Sequence, residues 1–300
     1  MMMNQKVASI DLGTNTCLLL VKQGEAILHD ESNVVRLGQG VDQSKMLHPD
    51  AIERTWKCLQ KYAEIIKQFG MSPDEVIAVG TAQARDAGNA ADFFSRIKNE
   101  LGFQFRVLSG DEEANSTFIG AALPGMNADS MVVMDIGGGS TEIVQASGGK
   151  SLNIGAVRMT ERYLKSDPVT DDEFWKCEAA IDEALSEMKP LIQSAGKDFV
   201  AVAGTAVTLA MIQLGLKEFD RTKIDGFEIT RGDAHRIVEE LKWRSIAERN
   251  AMPGMEPKRA DVILAGALIF WRAMEVLGFK KVVISTRGLR YGVLKTLLNR

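Results

Sequence analysis

Twelve consecutive residues, Ile10 to Val21 (IDLGTNTCLLLV), line up without gaps against Met134 to Gln145 (MDIGGGSTEIVQ). Each stretch reads apolar strand, Asp, apolar, Gly, small polar turn, strand, and each turn would close a hairpin within its own sheet. Two copies 124 positions apart predict two related halves. A length of 300 residues agrees, since it exceeds what one core usually spans and fits about two domains of roughly 150 residues. The join is expected at LPGMNADS, Leu123 to Ser130, where Pro124, Gly125 and Asn127 favour a loop. The halves are then residues 1–124 and 125–300, with a final helix able to pack back on the first.

Apolar residues at steps of three and four (Ile52, Trp56, Leu59, Ala63, Ile66) predict a helix from Asp50 to Phe69. Others are expected over Ala91 to Leu101, Glu112 to Leu123, Asp171 to Ala195, Arg231 to Trp243 and Arg259 to Leu277. Thr170 and Glu173 have capping-box spacing at the start of one, and Pro190 should kink or end it. Strand-like runs fall at Val7 to Ile10, Cys17 to Val21, Val76 to Val79, Phe105 to Leu108, Met131 to Met134, Glu142 to Ala146, Phe199 to Ala203 and Val282 to Ser285. Their interleaving with helices predicts an α/β fold.

Composition narrows the function classes. Lys plus Arg number 36 against 40 Asp plus Glu, a net charge of −4, so there is no basic excess for a nucleic acid backbone and nucleic acid is not an expected partner. Three widely separated cysteines (Cys17, Cys58, Cys177) fit neither a disulfide framework nor a metal-binding pair. The longest apolar run, Val262 to Trp271, is about half of the ~20 residues needed to cross a bilayer. The polar start of the chain lacks a secretory core. The expectation is a cytoplasmic protein with no membrane partner.

Turns rich in Gly and small hydroxyl residues expose backbone N–H groups that bind phosphate oxygens. Gly13-Thr14-Asn15 and Gly137-Gly138-Gly139-Ser140 qualify. The other reading, that these glycines only permit tight turns, is weakened by three glycines in succession. Asp11 and Asp135 each end a strand just before such a turn. Beside a polyanion, paired carboxylates require a hard divalent cation, and Mg²⁺ takes one or two carboxylates plus phosphate oxygens and water. Strand alternation puts Ser140 and Glu142 on one face, so Glu142 can join Asp11 and Asp135 as a metal ligand.

The segment VLSGDEEA, Val107 to Ala114, ends a strand and opens a helix. Ser109 and Glu112 have capping-box spacing, which occupies Glu112. Glu113, about 100° further round, either complements the helix dipole or faces a cleft as a base that activates water. Arg36, Arg85, Arg158, Arg287 and Arg290, each near a glycine-rich turn, could supply a positive wall. Gly204 and Thr205 in AGTAVTLA mark another anion site at a helix start. GxxxxGK[ST] is absent, and His29, His48 and His235 show no zinc spacing.

At this point the motifs become specific. IDLGTNT at Ile10, GTAQARDAGNAADF at Gly80, VLSGDEEA at Val107, MDIGGGSTEIV at Met134, GAVRMTERYL at Gly155, VAGTAVTLA at Val202, PGMEPKRADVILAGALIF at Pro253 and STRGLRYGVL at Ser285, in that order over nearly the whole chain, resemble the Ppx/GppA phosphatases. This family includes exopolyphosphatases and guanosine pentaphosphate phosphohydrolases. The resemblance implies two ribonuclease H-like lobes of the actin-like ATPase superfold with a cleft between them.

By the same resemblance Glu113 is the catalytic base, and Asp135 and Glu142 are the carboxylates of the metal and the attacking water. Gly13 to Asn15 and Gly137 to Ser140 are phosphate-binding loops, and Arg85 contacts the phosphate chain. Thr16 departs from the serine of many members but keeps the hydroxyl. The implied activity is Mg²⁺-dependent release of orthophosphate from inorganic polyphosphate. The same chemistry at the 5′ end of pppGpp, or a catalytically weak polyphosphate or nucleotide sensor, are the alternatives. The length resembles a short, two-lobe member, expected to be less processive than long ones or to depend on a homodimer.

Overall fold

Leu12 pairs with Cys17 across the first turn and Ile136 with Thr141 across the second, so the two echoing stretches form antiparallel hairpins in equivalent register. Each is the centre of its own sheet. The structure, a computed structural model, describes residues 5–192 and 196–297. Packing divides the chain into two compact α/β units, residues 1–120 with 289–300, and residues 121–288.

The strands of the first unit are β1 (Lys6–Leu12), β2 (Thr16–Gln23), β3 (Ala26–Val34), β4 (Ile77–Gly80) and β5 (Phe105–Val107). Those of the second are β6 (Met131–Ile136), β7 (Thr141–Gln145), β8 (Gly148–Leu152), β9 (Asp198–Val202), β10 (Glu228–Thr230) and β11 (Lys281–Ile284). The sheet orders are β3-β2-β1-β4-β5 and β8-β7-β6-β9-β11-β10. In each, three strands form an antiparallel meander and the next joins the first of them in parallel. This is the ribonuclease H-like arrangement, occurring once per unit, with β10 added antiparallel at one edge of the second.

In the first unit, alternation along β1 sends Ala8, Ile10 and Leu12 into a core with Leu19 and Val21 of β2. The helices Pro49–Gln68 and Ala90–Leu101 cover this face with Trp56, Leu59, Tyr62, Ile66, Phe93 and Ile97. Ser9 and Asp11 therefore point to the opposite face, where the helix Leu289–Leu297 lies. Ser9 Oγ donates to the Arg290 carbonyl at 2.7 Å, Leu20 packs with Tyr291 and Leu294, and Val79 and Leu108 pack with Leu289 and Val293.

The same helix closes on Gly110–Ala121 so tightly that a Cβ at Gly292 would overlap the Ser116 carbonyl and sit 2.5 Å from its carbon. Backbone cannot yield there as a side chain could. Gly292→Ala is expected to lower stability by about 1–3 kcal/mol or more, read as a lower denaturant midpoint at unchanged m-value.

The second unit has one large core. Val132, Met134 and Ile136 of β6 meet Ile143, Phe199, Ala201 and Ile284 from neighbouring strands, and Phe174, Ile181, Leu209, Leu264 and Leu268 from helices. The apolar run in PGMEPKRADVILAGALIF becomes the helix Ile263–Leu277, buried on almost every side. No helix among the described residues is long and apolar enough to cross a membrane.

Several element ends differ from expectation. The helix that opens at Asp171 carries its Thr170–Glu173 capping box but ends at Ser186, with Pro190 in the turns that follow; Ala195 lies outside the described residues. Arg259 belongs to a short 3₁₀ turn, Pro257–Arg259, before the helix starts at Ile263. Strands β3, β8 and β10 carry no apolar signal. Each is a sheet edge, half exposed or short, so its residues are not required to alternate.

Candidate active site

The triple-glycine turn is held from behind. Gly137 N–H donates to the Ser140 carbonyl at 2.9 Å, which closes the hairpin. Its carbonyls face the first turn of the helix Ala156–Tyr163: Gly137 O accepts from Ala156 N, and Gly138 O accepts from Val157 N and Arg158 N, at 2.9–3.0 Å. Gly139 O accepts from Arg158 Nε at 2.7 Å. In a trans peptide the C=O and the following N–H point in opposite directions. The N–H groups of Gly138, Gly139 and Ser140 are therefore directed away from that helix, and among the described residues none of them donates to a backbone carbonyl.

Outward amides in such a turn can bind an anion. Gly155 is needed for close packing against the turn, since its Cβ would sit 2.5 Å from Gly138 C and 2.6 Å from Gly139 C. Arg158 is buried and supports the turn from its carbonyl side, so it does not belong to a positive wall.

Asp135 and Glu142 are direct cross-strand partners, which places both carboxylates on one sheet face. Glu142 is next paired with Ser151, whose Oγ donates to Glu142 Oε1 at 2.5 Å. Glu142 is only 1% exposed. Two neighbouring carboxylates on one sheet face are hard oxygen donors of the kind a divalent cation takes. Among the described residues no group of three or more His, Cys, Asp or Glu is arranged to hold an ion.

Gly204 and Thr205 lie in the first turn of the helix Ala203–Leu214, which follows β9 without an intervening loop. The junction is made by Ala203 at φ 67°, a left-handed conformation that costs an alanine about 1 kcal/mol. Thr205 faces inward: its side chain is buried against Gly266, with Oγ1 3.5 Å from the Ile136 carbonyl. Its hydroxyl is used by the fold.

Over Gly204 lies a residue that sequence reasoning missed. A Cβ at Gly204 would overlap the Arg259 guanidinium, 2.6 Å from Nη1 and nearer still to Cζ and Nη2. Arg259 is buried, with Nε on Glu256 Oε2 at 2.7 Å. Its 55-residue separation from Gly204 hid the contact, although the segment containing it was among the motifs.

The first unit repeats the pattern. Gly13 N–H donates to Thr16 O at 2.8 Å, Thr14 O accepts from Gly38 N, and Asn15 O accepts from Val35 N and Arg36 N. By the same peptide geometry, Asn15 N–H and Thr16 N–H point away from these donors. Gln83 fastens the turn from the side, donating to Leu12 O at 2.7 Å with its Oε1 3.2 Å from Thr14 Oγ1. Asn15 is 5% exposed and its Nδ2 has no hydrogen-bond partner. A buried amide without an acceptor is costly, so this donor marks a place for one.

Glu112 and Glu113 take different directions. Glu112 completes the capping box with Ser109, whose amide holds its carboxyl below the usual range, and pairs with Arg106 at the surface. Glu113 is 7% exposed and accepts from Arg85 Nη1 at 2.8 Å. The same Nη1 donates to Leu108 O at 2.8 Å, so Arg85 is fixed at two points and fixes Glu113 in turn. Arg290 is held bidentately by Asp30 at 3.0 and 3.2 Å.

Asp11 stands on the same sheet face as Ser9, and its pKa is raised to about 7, by burial first, then by the charge of Glu113, against a lowering by Arg290. The folded chain thus binds this proton more tightly than the unfolded one. The stability it contributes is present below 3.8 and is lost as pH rises to about 7. Asp11→Asn is expected to raise the melting temperature clearly at pH 8 and little at pH 5. Equal gains at both pH values would show that Asp11 carries no buried charge.

The model of the Ppx/GppA phosphatase family matches residues 20–300. The chain is 35% identical over 283 residues to exopolyphosphatase 2 of Mycobacterium tuberculosis, covering 88% of each. It is 30% identical over 308 residues to a guanosine-5′-triphosphate,3′-diphosphate pyrophosphatase of Photobacterium profundum, covering 98% of this chain and 59% of that one. It is 31% identical to a bifunctional 3-dehydroquinate synthase/phosphatase of Fusobacterium nucleatum, covering 93% of this chain and spanning 44% of that protein's length. The crystal structure of an exopolyphosphatase from Cytophaga hutchinsonii superposes with a TM-score of 0.88 at 28% identity, over 98% of each chain. With the family model matching residues 20–300 and 35% identity to a relative over 88% of both chains, the chain belongs to the Ppx/GppA phosphatase family.

Proposed function

We propose that this enzyme hydrolyses the terminal phosphoanhydride of inorganic polyphosphate, releasing orthophosphate. The observation that carries the reading is the pair of hairpin turns whose carbonyls are tied back and whose amides are turned outward, each preceded by an aspartate. Such donors bind non-bridging phosphate oxygens without recognising anything else on the substrate.

Glu113 is the base. It accepts a proton from the attacking water while Arg85, bonded to it and to Leu108 O, holds its carboxylate in place. In the second unit the amides of Gly138, Gly139 and Ser140 are donors for phosphate oxygens; in the first, those of Asn15 and Thr16 and Asn15 Nδ2 are. Arg259 adds charge beside the amides of Gly204 and Thr205. Asp135 and Glu142, adjacent hard oxygen donors on one sheet face, fit Mg²⁺, which keeps water and substrate oxygens for its remaining positions. When bound, the ion offsets charge on the transferred phosphoryl group.

A second reading keeps this chemistry and moves it to the 5′ end of pppGpp; the Photobacterium relative, matched over 98% of this chain, favours it. Parallel measurement of Mg²⁺-dependent phosphate release from long polyphosphate, short oligophosphate, pppGpp and ATP decides between them. Fastest release from polyphosphate supports the first reading, and fastest release from pppGpp the second. Release from ATP alone, or from none of the four, removes both.

A further inference from the structure

Arg249 is 2% exposed, an unusual position for an arginine that contacts neither proposed carboxylate set. It sits in the short helix Ile246–Asn250, and its Nε donates to Leu241 O at 2.9 Å near the end of the helix Arg231–Lys242. Its Nη1 reaches Ala260 O at 3.4 Å, and its buried Nη2 has no hydrogen-bond partner. Burial lowers its pKa, against the opposing charges of Asp167 and Asp261. A buried cation is expensive unless hydrogen bonds offset its desolvation, and the bonds of this one join the two ends of the segment 249–260.

That segment runs back along the helix Ala203–Leu214. Its middle is pinned at Gly254, with φ 84°, where a Cβ would lie 2.5 Å from Ile212 N near the end of that helix. Its far end carries Arg259 to Gly204, in the first turn of the same helix. The segment therefore meets that helix at two heights, and beside Arg259, whose own Nε is on Glu256 Oε2, the carbonyl of the next residue, Ala260, accepts from Arg249 Nη1.

We infer that Arg249 is a positioning residue, which sets the guanidinium of Arg259 over Gly204 through the Ala260 carbonyl and so completes an anion subsite for the phosphate chain. This rests on the proposed binding of phosphate at Gly204 and Arg259. Lysine at 249 keeps the charge but cannot span two carbonyls with a planar fork.

The test is a double-mutant cycle on the full chain. Phosphate release from polyphosphate is measured for wild type, Arg249→Lys, Arg259→Lys and the double variant, with melting curves of each. Each single variant is expected to raise KM about tenfold with little change in kcat, as loss of uniform substrate binding requires. The double variant is expected to match Arg259→Lys, because two residues acting through one contact are not additive.

Multiplied KM effects in the double variant, or a wild-type KM for Arg249→Lys, would overturn the inference while leaving the subsite intact. An unchanged KM for Arg259→Lys would overturn the subsite and the inference with it. Should Arg249→Lys fail to fold, Arg249→Gln, which keeps a donor and removes the buried charge, is read in the same cycle.

Discussion

Glu113→Gln is expected to lower kcat for phosphate release by about 10²- to 10⁴-fold, with KM nearly unchanged. The substitution keeps the side chain's shape and one acceptor for Arg85 Nη1, so the bond at 2.8 Å and the anchor to Leu108 O can persist. What disappears is the ability to accept a proton. A loss confined to kcat therefore identifies Glu113 as the base, whereas near wild-type turnover removes it from the role. A rise in KM without loss of kcat would instead make Glu113 a partner that shapes the Arg85 contact.

Asp135→Asn and Glu142→Gln are expected to lower Mg²⁺-dependent turnover by about 10²- to 10³-fold, the range seen when one electrostatic contact to a developing charge is lost. Both should raise the concentration of Mg²⁺ needed for half-maximal rate. Melting curves of both variants separate this from a structural defect, which would lower the melting temperature along with the rate. The Ser151 hydroxyl keeps an acceptor in Glu142→Gln only if the amide oxygen faces it.

Local features of the site were legible. Asp11 and Asp135, their turns and the hairpins that follow depend on residues within about ten positions, and the pattern of strand, Asp and glycine carries that geometry directly. The capping box at Ser109 and Glu112 is likewise local, and it freed Glu113 to turn inward.

Other features depend on how distant segments pack. Arg85 reads from its glycine-rich neighbourhood as part of a positive wall, and the bonds that fix it, to Glu113 and Leu108, lie 28 and 23 residues away. Arg158 looked like part of a positive wall, but the tight approach of Gly155 to Gly138 brings it behind the turn. Arg259 over Gly204 and the left-handed Ala203 had no local signal at all, since neither residue type advertises its backbone or partner. Edge strands escaped for a related reason: β3 and β8 are held by pairing with β2 and β7, and their own residues encode little of it.

Single-turnover hydrolysis of polyphosphate in H₂¹⁸O tests the central claim, that Glu113 directs water onto the end phosphorus. One ¹⁸O in each released orthophosphate and none in the shortened chain, with the labelled product formed at least about 100-fold more slowly by Glu113→Gln, is the predicted result. Label appearing in the shortened chain, or unchanged formation of labelled orthophosphate by the variant, would contradict it.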